Sequence, residues 1–126
     1  MAQESSTVEI AAEAKSFGKP EEIRRFSHGW VEMLKIAGQP VGRATFEPGW
    51  KWSSHVKPLA KTPTCQSAHL AYHLTGVLHI KMDDGTEFDC KAGDVCLVPP
   101  GHDAWVVGDE RVVIVDFQGM ANYAKK

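Results

Sequence analysis

The sequence predicts an all-β protein that folds as a closed or two-sheet antiparallel barrel. Short runs of residues alternate between apolar and polar side chains from Trp30 onward, as expected of strands with one buried face. Turn signals containing glycine separate these runs at spacings of about 8 to 12 residues. The chain of 126 residues suits one domain with a single core, and it contains no internal repeat or linker.

The strands follow in chain order. "WVEMLKI" and "VGRATFEPGW" are joined by the turn "AGQP", and a long polar loop covers residues 56–66. The stretch "HLAYHLTGVLHI" forms two strands broken at Gly76, and the turns "MDDG", "AGD" and "GDE" separate the remaining strands. The result is about eight strands, with turns predicted at 83–85, 92–94 and 108–110.

The ends of the chain differ from the barrel. Residues 1–27 are polar and rich in small side chains, and we interpret them as a short N-terminal arm. Either this arm is loosely held, or its residues 5–15 extend a sheet edge of a partner subunit. The predicted organisation is therefore an arm at 1–27, a barrel at 28–120 and a C-terminal tail at 121–126.

Composition excludes several classes of partner. Fourteen basic and sixteen acidic side chains give a net charge of −2 without a basic cluster, which argues against nucleic acids and anionic membranes. No apolar run approaches the roughly 18 residues of a membrane span. The first residues lack the pattern of a secretory signal, and the three cysteines form no CxxC pair. We expect free thiols and a cytoplasmic location.

Two glycine-centred patterns point to one protein family. Gly93 is followed after five residues by Pro99-Pro100-Gly101, and Gly49 is followed after five residues by His55. These patterns resemble the second and first motifs of the cupin superfamily, over about residues 40–118. The resemblance implies a double-stranded β-helix, or jelly-roll, barrel that carries ligands for a metal ion at its mouth.

The ligand positions implied by the resemblance are only partly filled. Lys57 stands where the family has its second histidine, and His69, seven positions before Gly76, stands where the family has glutamate. The histidine of the second motif falls at Ala104. Either His102 or Asp103 takes that place, depending on how the preceding loop is shaped.

The resemblance therefore implies a divalent transition-metal ion held by His55, His69 and His102, with Asp103 as a competitor for the last position. We expect His55 and His69 to be the catalytic residues as well. Imidazole ligands suit iron, manganese, nickel, copper and zinc alike, so the sequence leaves the metal open.

Strand geometry limits which histidines can share an ion. His69 and His73 point to the same side of one strand, but at about 3.3 Å per residue they lie roughly 13 Å apart. His73 is therefore expected to be buried deeper and hydrogen-bonded to a neighbour, and His79 to face solvent. Cys65 and His69 are also four residues apart. Cys65 can therefore act as a nucleophile with His69 as its base only if the chain bends between them.

Other residues near the predicted mouth are candidates for binding a substrate. The aromatic rings can form a wall for an apolar ligand, and an inward arginine can pair with an anionic one. The expected substrate-binding residues are Arg43, Trp52, His73, Asp103 and Trp105.

Two functions fit these observations. The first is a metal-dependent cupin enzyme acting on a small organic molecule, with isomerase, lyase and dioxygenase chemistry all available to the fold. The alternative is a binding or sensing module that uses the same pocket without turnover or metal. The resemblance also implies a homodimer.

Overall fold

The computed structural model describes residues 11–125. Its strands are β1 (Glu22–Phe26), β2 (Gly29–Ile36), β3 (Gln39–Phe46), β4 (His69–Thr75), β5 (Val77–Met82), β6 (Glu87–Lys91), β7 (Val95–Val98), β8 (His102–Val107) and β9 (Val112–Asp116). The helices are α1 (Trp52–His55) and α2 (Lys57–Ala60), each a single turn.

Two antiparallel sheets enclose the core. The larger sheet has the order β1-β2-β3-β9-β4-β7, and the smaller one has the order β6-β5-β8. Turns or bends occupy 83–85, 92–93 and 108–110, close to the predicted positions. The predicted all-β jelly-roll barrel is confirmed. No helix among the described residues is long and apolar enough to cross a membrane.

Alternation along each strand decides which side chains reach the interior. In β4, His69, Ala71 and His73 are buried between the sheets, while the residues between them face outward. Gly76 then turns the chain from one sheet to the other at φ +74°, and an added Cβ there would lie 2.5 Å from the Arg111 carbonyl oxygen. Glycine is therefore required at this corner.

The outer surface of the larger sheet is unusually apolar where β4, β7 and β9 lie side by side. Leu97 is 63% exposed and Phe117 is 55% exposed. We call this surface the outer apolar face: Leu70, Tyr72, Leu74, Val95, Leu97 and Phe117. Exposed apolar patches of this kind commonly mark interaction surfaces.

The larger sheet begins within the predicted N-terminal arm. Strand β1 pairs with β2 along its whole length. The barrel therefore begins at residue 22, inside the segment 1–27 that was predicted to be an arm. The described remainder, residues 11–21, forms no helix or strand. Residues 1–10, which include most of the segment proposed to reach a partner subunit, lie outside the described residues.

The C-terminal residues pack against β1 through one buried side chain. Nη1 of Arg24 donates hydrogen bonds to the carbonyl oxygens of Met120 at 2.7 Å and Tyr123 at 2.9 Å, and Nη2 donates to Ala121. We call this arrangement the Arg24 clamp. Tyr123 and Ala124 are buried, so part of the predicted tail contributes to the core.

Candidate metal centre

Three side chains with metal-binding atoms converge inside the barrel. The ligand atoms of Cys65, His69 and His102 all lie within 4.8 Å of one another, and all three residues are buried. His69 is the first residue of β4 and His102 is the first residue of β8, so both lie where a strand enters the barrel. We call these residues the Cys65 group.

Cys65 reaches this position because the chain bends before β4. The Cys65 amide donates to the His102 carbonyl at 2.8 Å, and the Gly101 amide donates to the Cys65 carbonyl at 2.7 Å. Residues 66–68 are not in a strand, so the extended spacing of about 13 Å does not apply. The Cys65 sulfur lies 3.7 Å from Nε2 of His69.

A buried carboxylate fixes the orientation of His69. Nδ1 of His69 donates to Oδ2 of Asp116 at 2.5 Å, and Asp116 is fully buried. Oδ1 of Asp116 accepts hydrogen bonds from the amides of Gln118 and Gly119, both at 2.9 Å. This leaves Nε2 of His69 directed at the Cys65 sulfur, as in the carboxylate–histidine arrangement behind many metal ligands.

His102 is oriented in a similar way by the backbone. Its Nδ1 donates to the Pro99 carbonyl at 2.8 Å, which leaves Nε2 with a lone pair for a metal. His102 and His69 meet edge to face, with ring centroids 5.3 Å apart. Both histidines therefore present the same kind of atom toward Cys65.

The charges within this cluster are shifted from their ordinary values. Burial raises the pKa of the Cys65 thiol, but hydrogen bonds with His102 and His69 outweigh burial and lower that pKa to about 6. Burial also lowers the pKa of His69, but hydrogen bonds with Asp116 and Cys65 raise it to about 9. Burial acts to raise the pKa of Asp116, and the hydrogen bond from His69 holds it below its usual range. These pKa shifts favour a Cys65 thiolate beside a His69 imidazolium at neutral pH in the metal-free protein.

The pKa shifts of His69 and Cys65 have opposite effects on how the stability of the metal-free protein depends on pH. Between pH 6.5 and about 9, folded His69 keeps a proton that the unfolded histidine loses, so its contribution to stability falls as pH rises. Over nearly the same range, folded Cys65 lacks a proton that the unfolded thiol keeps, so its contribution rises. The two contributions oppose each other. We therefore expect the His69–Cys65 pair to add little to the pH dependence of the free energy of unfolding.

The variant Cys65→Ser should remove the contribution of the thiol. His69 keeps part of its raised pKa in this variant, because Asp116 still accepts its hydrogen bond. The free energy of unfolding should therefore fall with rising pH just above 6.5, by up to about 1.4 kcal/mol per pH unit. Urea denaturation of the metal-free wild type and variant at several pH values measures the two slopes. Equal slopes in the two proteins would contradict the thiolate–imidazolium assignment.

The Cys65 group fits a transition-metal ion by the chemistry of its donors. A thiolate sulfur and two neutral imidazole nitrogens are ligands preferred by zinc, copper and iron, and three protein ligands leave a coordination position open. The same thiolate beside an imidazolium is also the active form of a cysteine nucleophile. The side chains therefore support either metal binding or thiol chemistry.

Two spaces adjoin the Cys65 group. A largely apolar cavity of about 40 Å³ lies inside the barrel, and it has room for only a few water molecules. A groove of about 380 Å³ on the surface is lined in part by Cys65. Trp52 and Tyr123 line both spaces.

The structure does not bring His55 into the Cys65 group. Residues 52–55 form the helical turn α1 rather than a strand, and this turn directs the imidazole away from the cavity. Nδ1 of His55 accepts a hydrogen bond from the Lys51 amide at 3.0 Å, and its ring lies against that of His28, tilted by 32° with centroids 4.3 Å apart. The metal and catalytic roles expected for His55 therefore have no geometric support.

The choice left open between His102 and Asp103 is decided by the alternation of β8. His102 points inward, and Asp103 points to the other side of the strand, where its Oδ1 accepts a hydrogen bond from the Ser53 amide. Trp105 also lies on the outer side, where its ring is tilted by 37° against that of His79 with centroids 4.7 Å apart. Neither Asp103 nor Trp105 lines the cavity or the groove.

The other proposed substrate-binding residues divide into two classes. Arg43 points away from the barrel interior and forms a two-point ion pair with Glu32, with its Nε 2.8 Å from Oε1. Trp52 and His73 both line the cavity, and their substrate-binding role stays a prediction. However, Nδ1 of His73 is buried without a hydrogen-bond partner in the described chain, contrary to the expected hydrogen bond.

Two residues of the site, Cys65 and Asp116, were not among the site residues predicted from the sequence. Cys65 was signalled by its four-residue spacing from His69, but the predicted separation of about 13 Å holds only if the residues between them are extended. Asp116 was signalled by the alternation of β9, which places it on the inner face with Val112 and Ile114. An acidic residue at an inward position of a strand is expected to have a buried partner.

Comparison with known proteins defines the fold. No protein-family model and no curated protein matches the chain. Solved structures do match, including an RmlC-like cupin from Shewanella frigidimarina, with 20% identity, a TM-score of 0.58, and coverage of 88% of this chain and 96% of that chain. A cupin-like protein from Thermotoga maritima matches with 18% identity, a TM-score of 0.53, and coverage of 92% and 82%.

A mutant of Bacillus subtilis oxalate decarboxylase is similar over 84% of this chain but only 29% of its own length, with 16% identity and a TM-score of 0.55. At these identities the similarity shows the fold alone. The chain has the cupin fold.

Proposed function

We propose that the chain is a metal-dependent enzyme in which Cys65, His69 and His102 hold a divalent transition-metal ion beside a small organic substrate. The observation that carries this proposal is the convergence of three buried ligand atoms within 4.8 Å. The hydrogen bond from His69 to Asp116 adds the outer carboxylate that metal-binding histidines commonly have. One protein with a similar fold, the oxalate decarboxylase, is named as an enzyme acting on a small acid.

A bound divalent ion would supply Lewis acidity at the open coordination position. The protein's own residues do the remaining work. Asp116 holds the His69 ring in place, and the Pro99 carbonyl does the same for His102. The groove along Cys65 has a volume of about 380 Å³, within the range that small-molecule sites occupy, so we place the substrate there.

Element analysis tests this proposal when the protein is purified without an affinity tag that binds metal. We expect bound transition metal in the wild type, and a loss of about one equivalent in Cys65→Ala and in His102→Ala. His55→Ala is the matched control, because it removes the histidine predicted from the family motif but not found in the Cys65 group, and it should keep its metal. Equal metal content in all four proteins would contradict the proposal.

The small cavity favours a second function, the non-enzymatic binding module. A space of about 40 Å³ with a largely apolar wall suits only a very small molecule, which could be held without a metal. A ligand that binds metal-free protein with undiminished affinity in Cys65→Ala would favour this module over the enzyme.

The homodimer stays a prediction. Its most suitable surface is the outer apolar face, because pairing two copies there would remove the exposed side chains of Leu97 and Phe117 from water. The residues proposed to extend a neighbour's sheet lie mostly before residue 11, outside the described part of the chain.

A further inference from the structure

A second cluster of metal-binding side chains lies deeper in the barrel. The ligand atoms of His73, Cys90 and Cys96 lie within 4.8 Å of one another. They come from β4, β6 and β7, so this cluster joins the two sheets. We call these residues the Cys90 group.

The Cys90 group is not explained by ordinary core packing. His73 is 2% exposed, and its Nδ1 has no hydrogen-bond partner among residues 11–125. A buried polar atom without a protein partner is costly, and in native proteins such an atom is commonly met by a bound ion or an ordered water. Cysteines alone would serve as small apolar residues, but a histidine without a partner beside two of them calls for a ligand.

The Cys90 group cannot share an ion with the Cys65 group. His69 and His73 lie on the same face of β4, four residues and so about 13 Å apart along the strand. A metal ion at ordinary bonding distance of roughly 2.1 Å from one imidazole is out of reach of the other. His73 and Cys96 do line the same cavity as His69, so the two groups lie along one interior space.

We propose that His73, Cys90 and Cys96 form a second metal site that takes a soft ion, Zn(II) or Cu(I). Two sulfurs and one imidazole nitrogen, without any carboxylate, select thiophilic ions over magnesium, calcium or manganese. Cys96 is partly exposed and lies on β7, an edge strand of the larger sheet, which gives an ion a short path to this site.

The test uses the complete chain, reduced and freed of metal, and titrated with Zn(II) or, in a separate anaerobic arm, with Cu(I). Bound metal is counted after gel filtration in the wild type, in Cys65→Ala, in Cys96→Ser and in the double variant. We expect Cys65→Ala to keep one equivalent and the double variant to keep none. The arm that gives stoichiometric binding in Cys65→Ala identifies the ion.

A folding control keeps the outcome unambiguous. Cys96 is partly exposed, so its serine variant changes the core little, and circular dichroism with thermal unfolding verifies that it folds. Absence of bound metal in Cys65→Ala, or binding that is unchanged by Cys96→Ser, would overturn the second site. If the Cys65 group instead binds nothing, wild type should hold one equivalent that Cys65→Ala leaves intact and Cys96→Ser removes.

Discussion

Replacement of Asp116 by alanine is expected to lower the free energy of unfolding of the metal-free protein by about 3–5 kcal/mol. Asp116 is fully buried, and its carboxylate accepts hydrogen bonds from His69, Gln118 and Gly119. Its removal leaves the buried His69 ring, the buried Gly119 amide and the partly buried Gln118 amide without this acceptor. Domains of this kind have a total stability of about 5–15 kcal/mol, so the loss is a large part of it.

Urea denaturation measures this effect as a lower midpoint with an unchanged slope. Asp89→Ala is the matched control, because Asp89 also accepts a hydrogen bond from a histidine, His79, at 2.7 Å, but at the surface. Exposed pairs of this kind contribute about 0–1 kcal/mol. Similar losses in the two variants would show that the Asp116 pair has no special role in stability.

Gly119→Ala is expected to damage the Cys65 group directly. A Cβ at this position would overlap Nδ1 of His69 and the carbonyl oxygen of Ala68. Neither atom can move easily, since one is held by Asp116 and the other belongs to the backbone. Overpacking of this kind costs about 1–3 kcal/mol. The displaced imidazole should also reduce metal affinity by about 10- to 100-fold, as loss of an orienting contact does.

Calorimetric titration with Zn(II) and urea denaturation measure the two effects of Gly119→Ala. Gly18→Ala is a suitable control, because the nearest atom to its added Cβ is the Ser16 hydroxyl oxygen at 3.3 Å, a flexible side chain. If Gly119→Ala binds metal as tightly as Gly18→Ala, the position of His69 is not decisive for the site.

The fold was predictable because alternation and turn chemistry are local properties. The turn near 83–85 depends on a glycine flanked by two strand-like runs, and no distant contact has to be known to recognise it. The inward position of His69 followed from the same alternation, as did the outward position of Tyr72.

The metal centre was only partly predictable, because it depends on the path of irregular segments. His55 was placed by counting from a family motif, but the helical turn α1 rotates it onto His28. Cys65 was set aside by strand spacing, but residues 66–68 are not extended. In both cases a loop decided where the side chain points, and loop geometry depends on tertiary contacts such as the bridge between Cys65 and His102.

The Arg24 clamp has a consequence for the order of folding. It joins groups 96 and 99 positions apart in the chain. Contacts between such distant residues form late, because a long loop must close before they contribute. Met120 and Tyr123, which the clamp holds, form part of the cavity wall, so we expect that wall to be completed late in folding. An ion that binds before that step would enter a barrel whose wall is incomplete. The rate of metal binding would then depend on the extent of folding.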